Sequence, residues 1–138
     1  MRVLVVDDEP DVLLLCRVNL EFAGHEVLEA SNGERGVELA LGERPDVIML
    51  DVMLPHRDGL SVLEELVRDR RTRETPVILL TAKAQDADRL RGWRAGCTEY
   101  VTKPFSPQLL ADTVDRVAEM TGDERQRRRT EELARLGA

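Results

Sequence analysis

Aromatic side chains are almost missing from this sequence: Phe22, Trp93, Tyr100 and Phe105 make up 3% of 138 residues. Aliphatic side chains must therefore fill any interior. Cysteine is rarer still. Cys16 and Cys97 lie far apart and match no metal-ligand or redox spacing, so they read as packing residues in a reducing compartment. No apolar run approaches the length of a bilayer crossing, and Met1-Arg2-Val3 enters a strand directly, without a signal peptide. A disulfide scaffold and a membrane span are excluded, and the expected location is the cytoplasm. Positive charge is also in deficit: the net charge of -7 argues against non-specific nucleic-acid binding through the whole surface.

What is present suits one soluble domain, since 42% of the residues are hydrophobic and 34% charged. The organising stretch is Val47-Ile48-Met49-Leu50-Asp51, an apolar run that ends in a carboxylate. Its continuity predicts a strand buried on both faces. Three other segments repeat the pattern. Val3-Leu4-Val5-Val6 meets Asp7-Asp8, Val77-Ile78-Leu79-Leu80 meets Thr81, and Tyr100-Val101-Thr102 meets Lys103-Pro104. A fifth strand, His25 to Ala30, alternates more and is placed at an edge.

Helical segments separate the strands. The spacing predicts helices from Glu9 to Ala23, stopped by Gly24, and from Glu34 to Leu41, closed by Gly42. Leu60, Leu63, Leu66 and Val67 stripe a third, running to about Arg70. Gln85 to Ala95 offers only Ala87, Leu90 and Trp93 as apolar positions, so a short, weakly anchored helix is expected, with Trp93 either core or, the favoured reading, an exposed partner contact. Leu110, Val114 and Val117 stripe a fifth, beginning near Ser106-Pro107. Each crossover suits a helix, so the fold class is α/β, a doubly wound five-stranded parallel sheet of order 2-1-3-4-5.

Residues 1–120 form the expected domain, with residues 121–138 a charged helical tail or linker too short to be an output domain. The tail carries net +1 against -8 for the rest. Glu124/Arg128, Arg127/Glu131 and Glu131/Arg135 fall at helical spacing, Leu133 and Leu136 give a thin apolar face, and Arg127-Arg128-Arg129 reads as a solvated face.

Parallel strands gather their polar ends at one margin of the sheet. Asp7, Asp8 and Asp51 would then crowd like charges, a conflict that a divalent cation removes. Oxygen ligands with no histidine or cysteine nearby favour Mg²⁺. Lys103 adds a fixed ammonium and Thr81 a hydroxyl. A carboxylate among these groups is equipped to attack phosphorus. Taken singly, Asp8 could cap a helix, Asp51 begin a turn, Thr81 cap the next helix and Tyr100 pack an edge. Together they converge on one sheet margin.

The ordered set Asp7-Asp8, Asp51-Val52-Met53-Leu54-Pro55 with Asp58-Gly59, Thr81-Ala82 and Tyr100-Val101-Thr102-Lys103-Pro104-Phe105 resembles the receiver domain of two-component response regulators, especially the branch with winged-helix outputs. The resemblance implies a flavodoxin-like receiver fold in which Asp51 accepts a phosphoryl group from a histidine kinase or phosphotransfer protein. It implies Mg²⁺ on Asp8, Asp51 and the Met53 backbone carbonyl, with Asp7 acting through water. Lys103 would bond the phosphoryl group across a cis Lys103-Pro104 peptide, and Thr81 and Tyr100 would be the switch pair for a downstream protein target. Such a domain is no enzyme beyond assisting its own phosphorylation and dephosphorylation. It would bind neither nucleic acid nor membrane, and would be a monomer or weak dimer, because Leu109 and Thr113 replace the acid and arginine of the branch's dimer. Met53 and Lys83 hold the variable positions flanking the site. A pseudo-receiver binding module is the alternative. An aspartyl-phosphate hydrolase is a further one, though it would want an acid where Met53 stands.

Overall fold

The computed structural model describes residues 1–137. Among them run five strands, β1 (Arg2–Val6), β2 (Glu26–Ala30), β3 (Val47–Asp51), β4 (Val77–Thr81) and β5 (Glu99–Thr102). The helices are α1 (Pro10–Phe22), α2 (Gly33–Glu43), α3 (Gly59–Arg68), α4 (Asp86–Ala95), α5 (Pro107–Glu119) and α6 (Gly122–Arg135). All strand pairs are parallel, in the order β2-β1-β3-β4-β5. The expected doubly wound sheet is what forms.

The apolar runs of β1, β3 and β4 are continuous because helices cover both faces of the sheet. Successive side chains point to opposite sides. Leu4, Val6, Ile48, Leu50 and Leu79 meet Val37, Ala40, Val62, Leu63, Leu66 and Trp93 of α2, α3 and α4. Val3, Val5, Met49, Ile78 and Leu80 meet Cys16, Leu20, Leu110, Val114 and Val117 of α1 and α5. Register carries the strand ends to one margin: Val6 pairs with Leu50, Asp51 with Leu80 and Thr81 with Thr102.

Local chemistry sets most helix limits. Pro10 and Pro107 stand in first turns, Asn32, Asp58 and Ser106 accept the backbone N–H of Arg35, Leu60 and Leu109, and Gly24 takes φ 95° after α1. The end of α2 differs from expectation. Gly42 lies within the helix, and Arg44 ends it at φ 49°, ahead of Pro45, whose ring disfavours right-handed helical backbone in the residue before it.

The larger correction concerns α4 and α6. Trp93 is 1% exposed, a buried residue rather than a free contact. It is covered because α6 packs against α4, with Leu133 and Leu136 joining the α2/α3/α4 side of the core. Residues 122–135 are thus docked rather than solvated. Of the arginine run, Arg127 is exposed, but Arg128 and Arg129 are half-buried. The ion pairs also differ from those the spacing suggested. Glu124 turns back to the Thr121 amide in a capping box, and Arg128 and Arg135 both pair with Glu132.

Candidate functional site

β1 and β3 deliver Asp7 and Asp51 to the carboxyl margin of the sheet, 0% and 2% exposed. Asp8 follows at the surface. One oxygen from each of the three carboxylates lies within 4.8 Å of the others. Lys103, just past β5, extends its ammonium among them. Its Nζ lies 2.7 Å from Asp7 Oδ2, 3.0 Å from Asp51 Oδ2 and 3.0 Å from Glu9 Oε1. The Lys103-Pro104 peptide is cis.

Each local role weighed from the sequence has an answer. The N-terminus of α1 begins at Glu9 without a side-chain cap, so Asp8 does not cap it. Asp51 does begin a turn, its Oδ1 accepting the Met53 amide at 3.0 Å, while its Oδ2 faces Lys103. Thr81 is fully buried and its Oγ1 accepts from the Lys83 amide at 3.2 Å, while the N-cap position of α4 falls to Gln85. Tyr100 is buried, packs below Gly92, and donates its hydroxyl to the Lys83 carbonyl at 2.7 Å. Met53 lines an open recess of 550 Å³ with Asp8, Pro55, His56, Asp58 and Lys83.

The electrostatics are those of a site short of positive charge. Burial pushes the Asp51 carboxyl above the ordinary carboxylate range, against the opposing pull of the Met53 amide and the Lys103 ammonium. For Lys103, burial acts downward but is outweighed by Asp7, Glu9 and Asp51, which hold the ammonium above its usual value. One ammonium serves several carboxylates. Asp7 Oδ2 is buried, with the Lys103 ammonium 2.7 Å away as its ion-pair partner. An all-oxygen cluster of three carboxylates with a single ammonium among them fits a hard divalent cation.

Sequence reasoning missed two features. Glu9 joins the Lys103 cluster, and its signal was in view as a third acid directly after Asp7-Asp8. Leu14, Val18 and Phe22 form an exposed stripe on α1 at helical spacing, Phe22 being 94% exposed. That periodicity was legible, but it looks the same whether it faces a core or a partner. The two departures from the winged-helix branch part ways. Leu109 is exposed, whereas Thr113 is buried with its hydroxyl donated to the Leu109 carbonyl.

A parallel α/β sheet of this order, with acids, a hydroxyl and an ammonium at its carboxyl margin, defines a receiver-type signalling domain. The profile of the response regulator receiver domain matches residues 3–115, and the chain belongs to that family. It is 40% identical over 116 residues to Protein PilH of Pseudomonas aeruginosa, covering 84% of this chain and 96% of PilH. It is 44% identical over 109 residues to the DNA-binding dual master transcriptional regulator RpaA of Synechocystis, covering 79% of this chain and 45% of RpaA. The chain thus spans about half the length of several curated relatives it matches. Among solved structures, the chemotaxis response regulator CheY4 of Vibrio cholerae superposes with a TM-score of 0.80 at 31% identity, covering 84% of this chain and 97% of CheY4. No helix among the described residues is long and apolar enough to cross a membrane.

Proposed function

We propose that this receiver domain takes a phosphoryl group onto Asp51 from a phosphohistidine of a kinase or phosphotransfer protein. An Asp51 carboxylate oxygen attacks phosphorus, the P–N bond breaks, and its electron pair returns to the imidazole, which takes up a proton. Lys103 neutralises charge on the phosphoryl oxygens and holds Asp51 in line, and the Thr81 hydroxyl, released from the Lys83 amide, donates to one of those oxygens. Asp8, Asp51 and the Met53 carbonyl would hold Mg²⁺, with Asp7 through water, and the ion would supply neutralisation of the spread negative charge in transfer. A phosphorylated Asp51 then biases the Thr81 and Tyr100 pair, and with it the α4/β5/α5 surface offered to a downstream protein.

The observation that carries this reading is the Lys103 ammonium bridging the buried Asp7 and Asp51 carboxylates. The exposed α1 stripe of Leu14, Val18 and Phe22, on a helix that starts three residues beyond Asp7, is the apolar surface offered to the phosphodonor. The domain acts in the cytoplasm as a phosphoacceptor, monomeric or weakly dimeric, without contacting nucleic acid or membrane. The test is incubation with acetyl phosphate and Mg²⁺. A hydroxylamine-sensitive phosphoryl label is expected on the native chain and none on Asp51→Asn; a label retained by that variant would refute the assignment.

A further inference from the structure

Trp93 and the Arg127-Arg128-Arg129 run are left unexplained by the phosphoryl site, and the fold brings them together. α4 is thinly rooted, with Gly92 and Trp93 its buried residues. The guanidinium of Arg128 lies 5.4 Å from the centre of the Trp93 ring and donates to both oxygens of Glu99, at 3.1 and 3.2 Å. Glu99 opens β5, is buried, and also pairs with Arg116 of α5 at 3.0 Å. Arg129 donates to the Gly96 carbonyl that ends α4, at 3.0 Å, and Arg125 to the Glu74 carbonyl at 2.7 Å. Leu133 and Leu136 complete the contact against the core. The covered surface therefore offers an acid, an aromatic face, two carbonyl acceptors and an apolar strip. That is complementary to a basic amphipathic helix.

We propose that α4 and the start of β5 form a docking surface for a basic amphipathic helix, that α6 fills it in cis, and that an external helix of the same chemistry gains entry only when α6 departs. The resident helix is suited to leaving. Glu132 is its buried residue, its leucines are only partly covered, and its one ion pair to a buried group, Arg128 to Glu99, leaves Glu99 still paired with Arg116 when α6 departs. Met120 and Thr121 alone connect it to α5, and the capping box at Thr121 and Glu124 is internal to α6, so it persists when the helix swings away. Departure uncovers Trp93, the anchor of α4, beside Tyr100.

The chain's single tryptophan makes the test direct. The full chain carrying Arg128→Glu and Leu133→Ser together is compared with the native chain, using a labelled synthetic peptide of residues 121–138 as the probe. The variant should bind the peptide at least about tenfold more tightly than the native chain, whose surface is filled. Its Trp93 emission should lie at longer wavelength and return on peptide addition. Equal binding to the two chains, or a Trp93 that stays shielded in the variant, overturns the proposal. Should the variant lose its fold, hydrogen exchange on the native chain decides: α6 amides opening ahead of those of β1 and β3 supports it, and equal protection overturns it.

Discussion

A Cβ atom on Gly59 would stand 2.1 Å from the carbonyl oxygen of Asp51. The first residue of α3 thus lies against the end of β3, its amide donating to the Val52 carbonyl at 2.9 Å. Backbone meets backbone here, so neither side can yield by changing a rotamer. Gly59→Ala should cost about 3 kcal/mol in urea denaturation, and the surviving folded protein should take up phosphoryl groups more slowly because the Asp51 backbone has moved.

Lys103→Ala removes the ammonium and leaves Asp7 and Asp51 buried without it. Breaking a buried pair from one side is costly, so the variant should lose about 3 kcal/mol without divalent cations. Excess Mg²⁺ should recover more stability in the variant than in the native chain, since the ion no longer competes with a resident cation. Thermal melts with and without Mg²⁺ measure both effects.

Asp51→Asn should stabilise the metal-free chain at pH 7 by about 1 kcal/mol. The sign follows from burial, which raises the Asp51 pKa on folding. A raised carboxyl contributes stability that is full below its unfolded pKa and lost as pH rises through its folded pKa. The ionised form is therefore the costly one, and the gap between native and variant should close as pH falls through the acidic range. Denaturant melts at successive pH values, with chelator present, test it.

Tyr100→Phe deletes the hydroxyl that donates to the Lys83 carbonyl, and should cost about 1 kcal/mol by chemical denaturation while leaving the ring packed under Gly92. Its burial holds the native phenol pKa up at about 12, so a spectroscopic titration should show no phenolate near the ordinary value.

The sheet and its acidic margin were legible because both depend on short-range pattern. Apolar runs in β1, β3 and β4 announce strands covered on both faces, and a parallel arrangement aligns their ends, so Asp7, Asp51, Thr81 and Lys103 had to converge. Trp93 was misread for the opposite reason. Its cover comes from α6, whose Arg128 lies 35 residues further along the chain, and α4 shows no apolar period to announce it. Glu9 was hidden by its place at a helix start, where an acid is unremarked. The end of α2 shows how a proline ring can outweigh a nearby glycine: the helix runs through Gly42 to Glu43, and Arg44, the residue before Pro45, caps it.

The two outermost strands are guarded in different ways. β2 carries Glu26 and Glu29, paired with Arg2 and Arg17, and β5 is only four residues long and begins with a charged side chain. Bare strand margins recruit further strands from neighbouring molecules, and charge and brevity are what deter them. Concentrated solutions of this protein should consequently resist ribbon growth and fibril formation.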